Sequence, residues 1–145
     1  MELREASAED LPALAAIVVA AGRAAWGHIG PVERMEVHLD PAGPGFVATD
    51  DDEMIGFTFI RGCELELLHV KPDAWGRGVG RALLVAAEDE LRAAGCSEAF
   101  LFTEERNARA LDLYSRAGWR PDGFVREREW LGVSLREPRL VKRLS

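Results

Sequence analysis

Leu67-Leu68-His69-Val70-Lys71-Pro72-Asp73-Ala74-Trp75-Gly76-Arg77-Gly78-Val79-Gly80-Arg81-Ala82-Leu83-Leu84 runs from an apolar strand, through a turn with three glycines, into a helical repeat of small and apolar residues. Glycine at 76, 78 and 80 strips the turn of bulk, and the N–H groups of a helix N-terminus point outward with a partial positive charge. Such a backbone cradles a pyrophosphate. The spacing rejects two common owners: a GxGxxG fingerprint would need glycine where Arg81 or Leu83 stands, and a nucleotide P-loop would need Gly-Lys-Ser/Thr. A tight strand-to-helix connection that binds nothing is the other reading.

Outward from the turn, Leu84, Ala87 and Leu91 share a helix face, and Gly95 marks the helix end. Ala99 to Thr103 reads as an apolar strand inside a sheet, and Asn107 as the N-cap of a helix carrying Leu111, Tyr114 and Ala117 that stops at Gly118. Upstream, Cys63 to Val70 is a strand, and Phe46–Thr49 with Met54–Ile60 forms a hairpin about the acidic turn 50–53. Met1 to Arg4 opens the chain as a strand. Ser7 caps a first helix whose stripe of Leu11, Leu14, Ala15 and Val18 ends before Gly22. Residues 22–45 read as a loop with a short helix, and two strands, about 123–130 and 136–144, close the chain. Strands and helices alternate in the middle and hairpins flank them, so one α/β domain over residues 1–145 with a mixed sheet is expected.

Two motifs together resemble the GNAT superfamily of acetyl-coenzyme A dependent N-acetyltransferases. Trp75-Gly76-Arg77-Gly78-Val79-Gly80 matches its Gln/Arg-x-x-Gly-x-Gly/Ala turn, with Trp75 at the Gln/Arg position. Asn107 to Trp119 matches its Asn-x-x-Ala-x-x-x-Tyr-x-x-x-Gly-Phe/Trp segment. The resemblance implies a central, mostly antiparallel mixed sheet of six to seven strands flanked by about four helices. It also implies acetyl-coenzyme A as cosubstrate, no metal, a small-molecule or peptide amine as acceptor, and direct attack through a tetrahedral intermediate. A homodimer is compatible with this fold class. Leu68, His69, Val70, Trp75, Gly76, Arg77, Gly78, Val79, Gly80, Arg81, Asn107 and Tyr114 are the residues expected at the coenzyme. A noncatalytic acyl-coenzyme A binding or sensing module is the alternative.

Acetyl transfer to an amine needs a base, a polarised carbonyl and a proton for the departing thiolate. Glu64 and Glu66, two apart on an otherwise apolar strand, share a face unless a bulge intervenes, and either can be the base. His69 is a third candidate. By resemblance, Tyr114, the only tyrosine, is the acid, and the Val70 N–H polarises the carbonyl. Trp26, His28, Trp119 and Trp130 are candidates to line the acceptor cleft, with core packing the leading reading for Trp119, and Glu127 and Glu129 are candidates to draw a cationic acceptor.

The whole chain sets limits. A net charge of −7 disfavours a nucleic-acid partner and suits a cationic acceptor. No apolar run reaches the roughly 20 residues needed to cross a bilayer, and no leader pattern opens the chain, so a cytoplasmic protein without a membrane partner is expected. Cys63 and Cys96, without CxxC spacing, are expected as buried reduced thiols.

Overall fold

The computed structural model describes residues 1–26, 39–130 and 132–145. One sheet holds seven strands in the order β1-β2-β3-β4-β5-β7-β6. They are β1 Glu2–Glu5, β2 Gly45–Asp50, β3 Glu53–Arg61, β4 Glu64–Val70, β5 Glu98–Phe102, β6 Arg120–Trp130 and β7 Val133–Arg143. The helices among the described residues are three, α1 Leu11–Trp26, α2 Val79–Ala93 and α3 Ala108–Arg116, where about four were expected. All neighbouring strands run antiparallel except β4 and β5, so the sheet is mixed and mostly antiparallel, as the sequence implied.

Helix α1 does not stop at Gly22 but runs to Trp26. A glycine inside a helix costs only about 1 kcal/mol, and Arg23, Ala24 and Ala25 beyond it are among the strongest helix formers; the stripe of Leu14, Ile17 and Ala21 before it is buried. Leu14 and Ile17 pack on Val47, Phe57 and Phe59 of the sheet. The opposite sheet face carries the larger core, where Leu84, Ala87 and Leu91 of α2 and Tyr114 of α3 meet Ile60, Leu65, Leu101 and Leu140. Trp119 belongs to that core, as expected, and its Nε1–H donates to Glu88 at 3.1 Å. Lys142 donates to the same carboxylate at 2.6 Å, so this buried charge is paired.

The cysteines are not free thiols. Cys63, in the turn after β3, and Cys96, in the loop after α2, are joined by a disulfide with Cα atoms 5.8 Å apart. Spacing along the chain could not show this, because the pairing depends on α2 crossing over the sheet and bringing the start of β5 beside the start of β4. At that point the Phe100 N–H donates to the Cys63 carbonyl and Glu64 lies level with Phe100. It is the single register pairing between β4 and β5. Beyond it the two strands part.

Candidate active site

Three features converge where β4 ends, namely the glycine turn, the gap between β4 and β5 and the first turn of α3, and a carboxylate pair stands at the start of the same strand. In the turn, Gly76 and Gly78 adopt left-handed φ values of 78° and 82°. A Cβ at either would meet nothing within 4 Å, so an anion can approach the backbone there. Gly78 is the N-cap of α2, and Gly80 lies under Leu113 of α3, where a Cβ would stand 3.4 Å from a methyl group. Val79 is buried and Arg81 exposed. Arg77 leans away from the turn to Asp50, at 3.3 Å, an exposed pair of little worth.

Trp75 ties the turn down: its Nε1–H donates to the Val70 carbonyl at 2.9 Å. Above its ring, at 4.0 Å, lies the guanidinium of Arg109 from α3. Sequence reasoning passed over Arg109. The one available signal was a cation two residues after a helix cap, which becomes meaningful only when α3 folds over the turn. Asn107 is the N-cap of α3, accepting from the Ala110 N–H at 3.3 Å.

The parting of β4 and β5 leaves backbone groups aimed into the gap. Lys71 N–H donates to the Ile55 carbonyl, so alternation along an antiparallel ladder turns the N–H groups of Val70 and Leu68 away from β3 and toward that gap. Both side chains pack against α2. His69 faces the other way and stacks on Phe57, ring centroids 5.5 Å apart. Burial lowers its pKa to about 4, which leaves it neutral and a poor base at pH 7.

Glu64 and Glu66 do not share a face in a regular register. Phe59 pairs with Leu67 and Ile60 with Leu65, so Glu66 is the extra residue of a β-bulge. Leu65 therefore turns into the α2–α3 core, and Glu64 faces the opposite side of the sheet, beside Phe100. Its carboxyl is pushed above the ordinary carboxylate range, first by burial and next by the charge of Glu66, against the pull of Arg126 and Arg61. One Glu66 oxygen, Oε2, is buried and has no hydrogen-bond partner among the described residues.

Tyr114 lies on α3 in the core below the gap, edge-on to Trp119 at 6.3 Å. Burial raises its pKa, so the phenol keeps its proton across the physiological range. Among the described residues its hydroxyl has no hydrogen-bond partner. Glu64 and Tyr114 thus sit on opposite faces of the sheet, and the opening between β4 and β5 is what joins those faces.

The acceptor-side expectations divide. His28 lies outside the described residues, and of Trp26 only its place at the end of α1 is described. Arg126 and Arg128 pair across to Glu137 and Leu135, and both reach Glu137 on the Glu64 face. Strand alternation then sends Glu127 and Glu129 to the face opposite Glu64. Among the described residues no cluster of three or more His, Cys, Asp or Glu side chains is set to hold a metal ion.

Residues 11–119 match the model of the Acetyltransferase (GNAT) family. A mycothiol acetyltransferase from Saccharopolyspora erythraea is 33% identical over 99 residues, covering 63% of this chain and 33% of that protein. The chain thus spans about a third of the length of the curated relatives it matches. Two solved structures share the fold. The GCN5-related N-acetyltransferase from Rhodopseudomonas palustris has a TM-score of 0.82 at 21% identity, covering 98% of this chain and 94% of that one. The yncA protein from Salmonella typhimurium, solved with its cofactor acetyl-CoA, has a TM-score of 0.78 at 20% identity, covering 100% and 94%.

Proposed function

The chain belongs to the Acetyltransferase (GNAT) family, and on that footing we propose that it is an N-acetyltransferase moving an acetyl group from acetyl-coenzyme A to a primary amine. The observation that carries the reading is the gap between β4 and β5, which opens beside the glycine turn, has Val70 and Leu68 N–H groups along its edge, and lies between Glu64 and Tyr114.

In this reading the backbone of Gly76, Gly78 and Gly80 and the first turn of α2 hold the pyrophosphate, with the Arg109 guanidinium over Trp75 as a cation beside it. The thioester arm lies in the gap as a surrogate strand on β4. Glu64, whose raised pKa suits a base better than an ordinary carboxylate, takes the amine proton directly or through a water. The Val70 N–H faces the oxyanion of the tetrahedral intermediate. Tyr114 donates its proton, or a hydrogen bond, to the leaving thiolate; full transfer is uphill by about 2 kcal/mol for a free phenol near 10 against a thiol near 8.5, and burial, which raises the Tyr114 pKa, steepens it, so the hydrogen bond is the main contribution. Glu66, at the bulge, supports Glu64 by its charge. A cytoplasmic location and an acceptor in the small-molecule or peptide amine class belong to the same reading.

The test is a thermal-unfolding scan with acetyl-coenzyme A, with NAD and ATP as controls, followed by thiol-release assays over an amine panel with native protein and Tyr114→Phe. Native protein at 100 times the dissociation constant should gain about 2.7 kcal/mol, a shift of several degrees. Tyr114→Phe should keep that shift and lose at least about tenfold in turnover. Binding without thiol release from any amine would make the protein a binding module; no shift would remove the coenzyme altogether.

A further inference from the structure

The face that carries Glu64 continues across β5, β7 and β6 as a row of aromatic rings and arginines, and helix α1, packed on the other half of the sheet, leaves that row uncovered among the described residues. Phe100 and Phe102 meet edge to face at 6.1 Å, and Phe102 meets Phe124 at the same separation. Arg126 lays its guanidinium over Phe102 at 4.0 Å. Arg126 and Arg128 both end on one carboxylate: Nε of Arg126 lies 2.9 Å from Oε1 of Glu137, and Arg128 grips Glu137 with Nε at 2.7 Å and Nη2 at 2.9 Å. Glu137 is buried, whereas the two arginines are 37% and 54% exposed. A further arginine on this face, Arg139, is matched by its own partner, Asp122, at 2.7 Å.

Two guanidiniums on one carboxylate leave one positive charge and several N–H donors pointing to solvent. Those donors lie close enough to Glu64 for Arg126 to act on its ionisation. The geometry points to an anion subsite at Arg126 and Arg128, and so to an α-amino acid as acceptor, its amine at Glu64 and its carboxylate at the arginines. This rests on the acetyl-transfer reading and narrows its acceptor from any amine to a zwitterion.

Glu64 is level with Phe100, and Phe102 is two residues along the neighbouring strand. A strand spacing of about 4.8 Å and a rise of about 3.3 Å per residue put the backbone positions of Glu64 and Phe102 about 8 Å apart, so side chains rising from both on one face can take the two ends of one small molecule. The rings of Phe100, Phe102 and Phe124 then offer an apolar wall for its side chain.

The experiment measures acceptor kinetics by thiol release at saturating acetyl-coenzyme A for three matched pairs: leucine with isopentylamine, phenylalanine with phenethylamine, and O-phosphoethanolamine with ethanolamine. Native protein and Arg128→Gln, a change at a half-exposed position, are run side by side, so that differences in amine acidity within a pair cancel. The expected result is a preference in kcat/KM for the amino acid over its decarboxylated partner that falls about 10- to 100-fold in Arg128→Gln, mainly through KM. Glu137→Gln, which frees both guanidiniums, should lower KM for the amino acid. The proposal is overturned if the preference is the same in native protein and Arg128→Gln. It is equally overturned if the phosphate-bearing amine is preferred to both amino acids. Thiol release from none of the six acceptors, with the coenzyme still bound, would instead defeat the acetyl-transfer reading itself.

Discussion

Glu64 is a carboxylate whose surroundings disagree about its charge. Burial and Glu66 favour the protonated form; Arg126 and Arg61 oppose them and do not prevail. A base acts only when ionised, so kcat/KM should fall as pH drops through a value above the ordinary 4.5, and Glu64→Gln should abolish that limb while lowering kcat/KM by about 10²- to 10⁴-fold. The sign for stability is the reverse. A carboxyl whose pKa is raised on folding stabilises the fold below its unfolded value and loses that contribution as pH rises through the folded one. At neutral pH, Glu64→Gln should therefore unfold no more readily than native protein in a thermal scan; a large drop in Tm would mean that Glu64 is a structural group. Sequence spacing reached this residue and its neighbour but could not choose between them. The bulge at Glu66 decides which way each points, and it arises from pairing with β3 rather than from any local signal.

The turn from β4 into α2 was legible as a strand, a glycine-rich connection and a helix start, since glycine is the residue that adopts positive φ freely and Gly76 and Gly78 both do. Gly78→Ala puts a Cβ into open space but onto a left-handed backbone, with a cost of about 1 kcal/mol. It should also weaken acetyl-coenzyme A binding more than it weakens the fold, by titration of the folded variant. Unchanged coenzyme affinity would place the phosphates elsewhere. Strand β6 was legible only in part. The alternation Arg126-Glu127-Arg128-Glu129 shows that one charge faces each way, but not which face is the active one. Only pairing to β7, with Arg126 opposite Glu137, assigns the arginines to the Glu64 side. Helix α1 overran Gly22 because a single glycine is a weak stop when Arg23, Ala24 and Ala25, all good helix formers, follow it.

At the scale of the molecule, the seven-stranded mixed sheet followed from element order, and the disulfide did not. Cys63 and Cys96 close a loop of 33 residues containing β4, the turn and α2. A crosslink over that span restricts the unfolded chain by about 3 to 4 kcal/mol. Reductant should thus lower Tm by on the order of 10 °C in a protein of this size, and the Cys63→Ser/Cys96→Ser double variant should start low and not respond. Equal melting with and without reductant would show that the bond does not form in solution. In a reducing compartment the thiol form would prevail, and the protein would work at the lower of the two stabilities.

The parting of β4 from β5 also divides the chain as well as the sheet. Strands β1 to β4 come from residues 2–70 and strands β5 to β7 from residues 98–143, with no strand exchanged between the two groups and antiparallel pairing throughout each. Each leaf can therefore pair within itself, leaving the single parallel contact at Glu64 and Phe100 as the seam closed across the connection that holds α2. What packs as one domain is two pieces by descent along the chain. The natural place to sever it for fragment complementation is the connection between the leaves, and the seam the fragments would have to re-form is the one the coenzyme is proposed to fill.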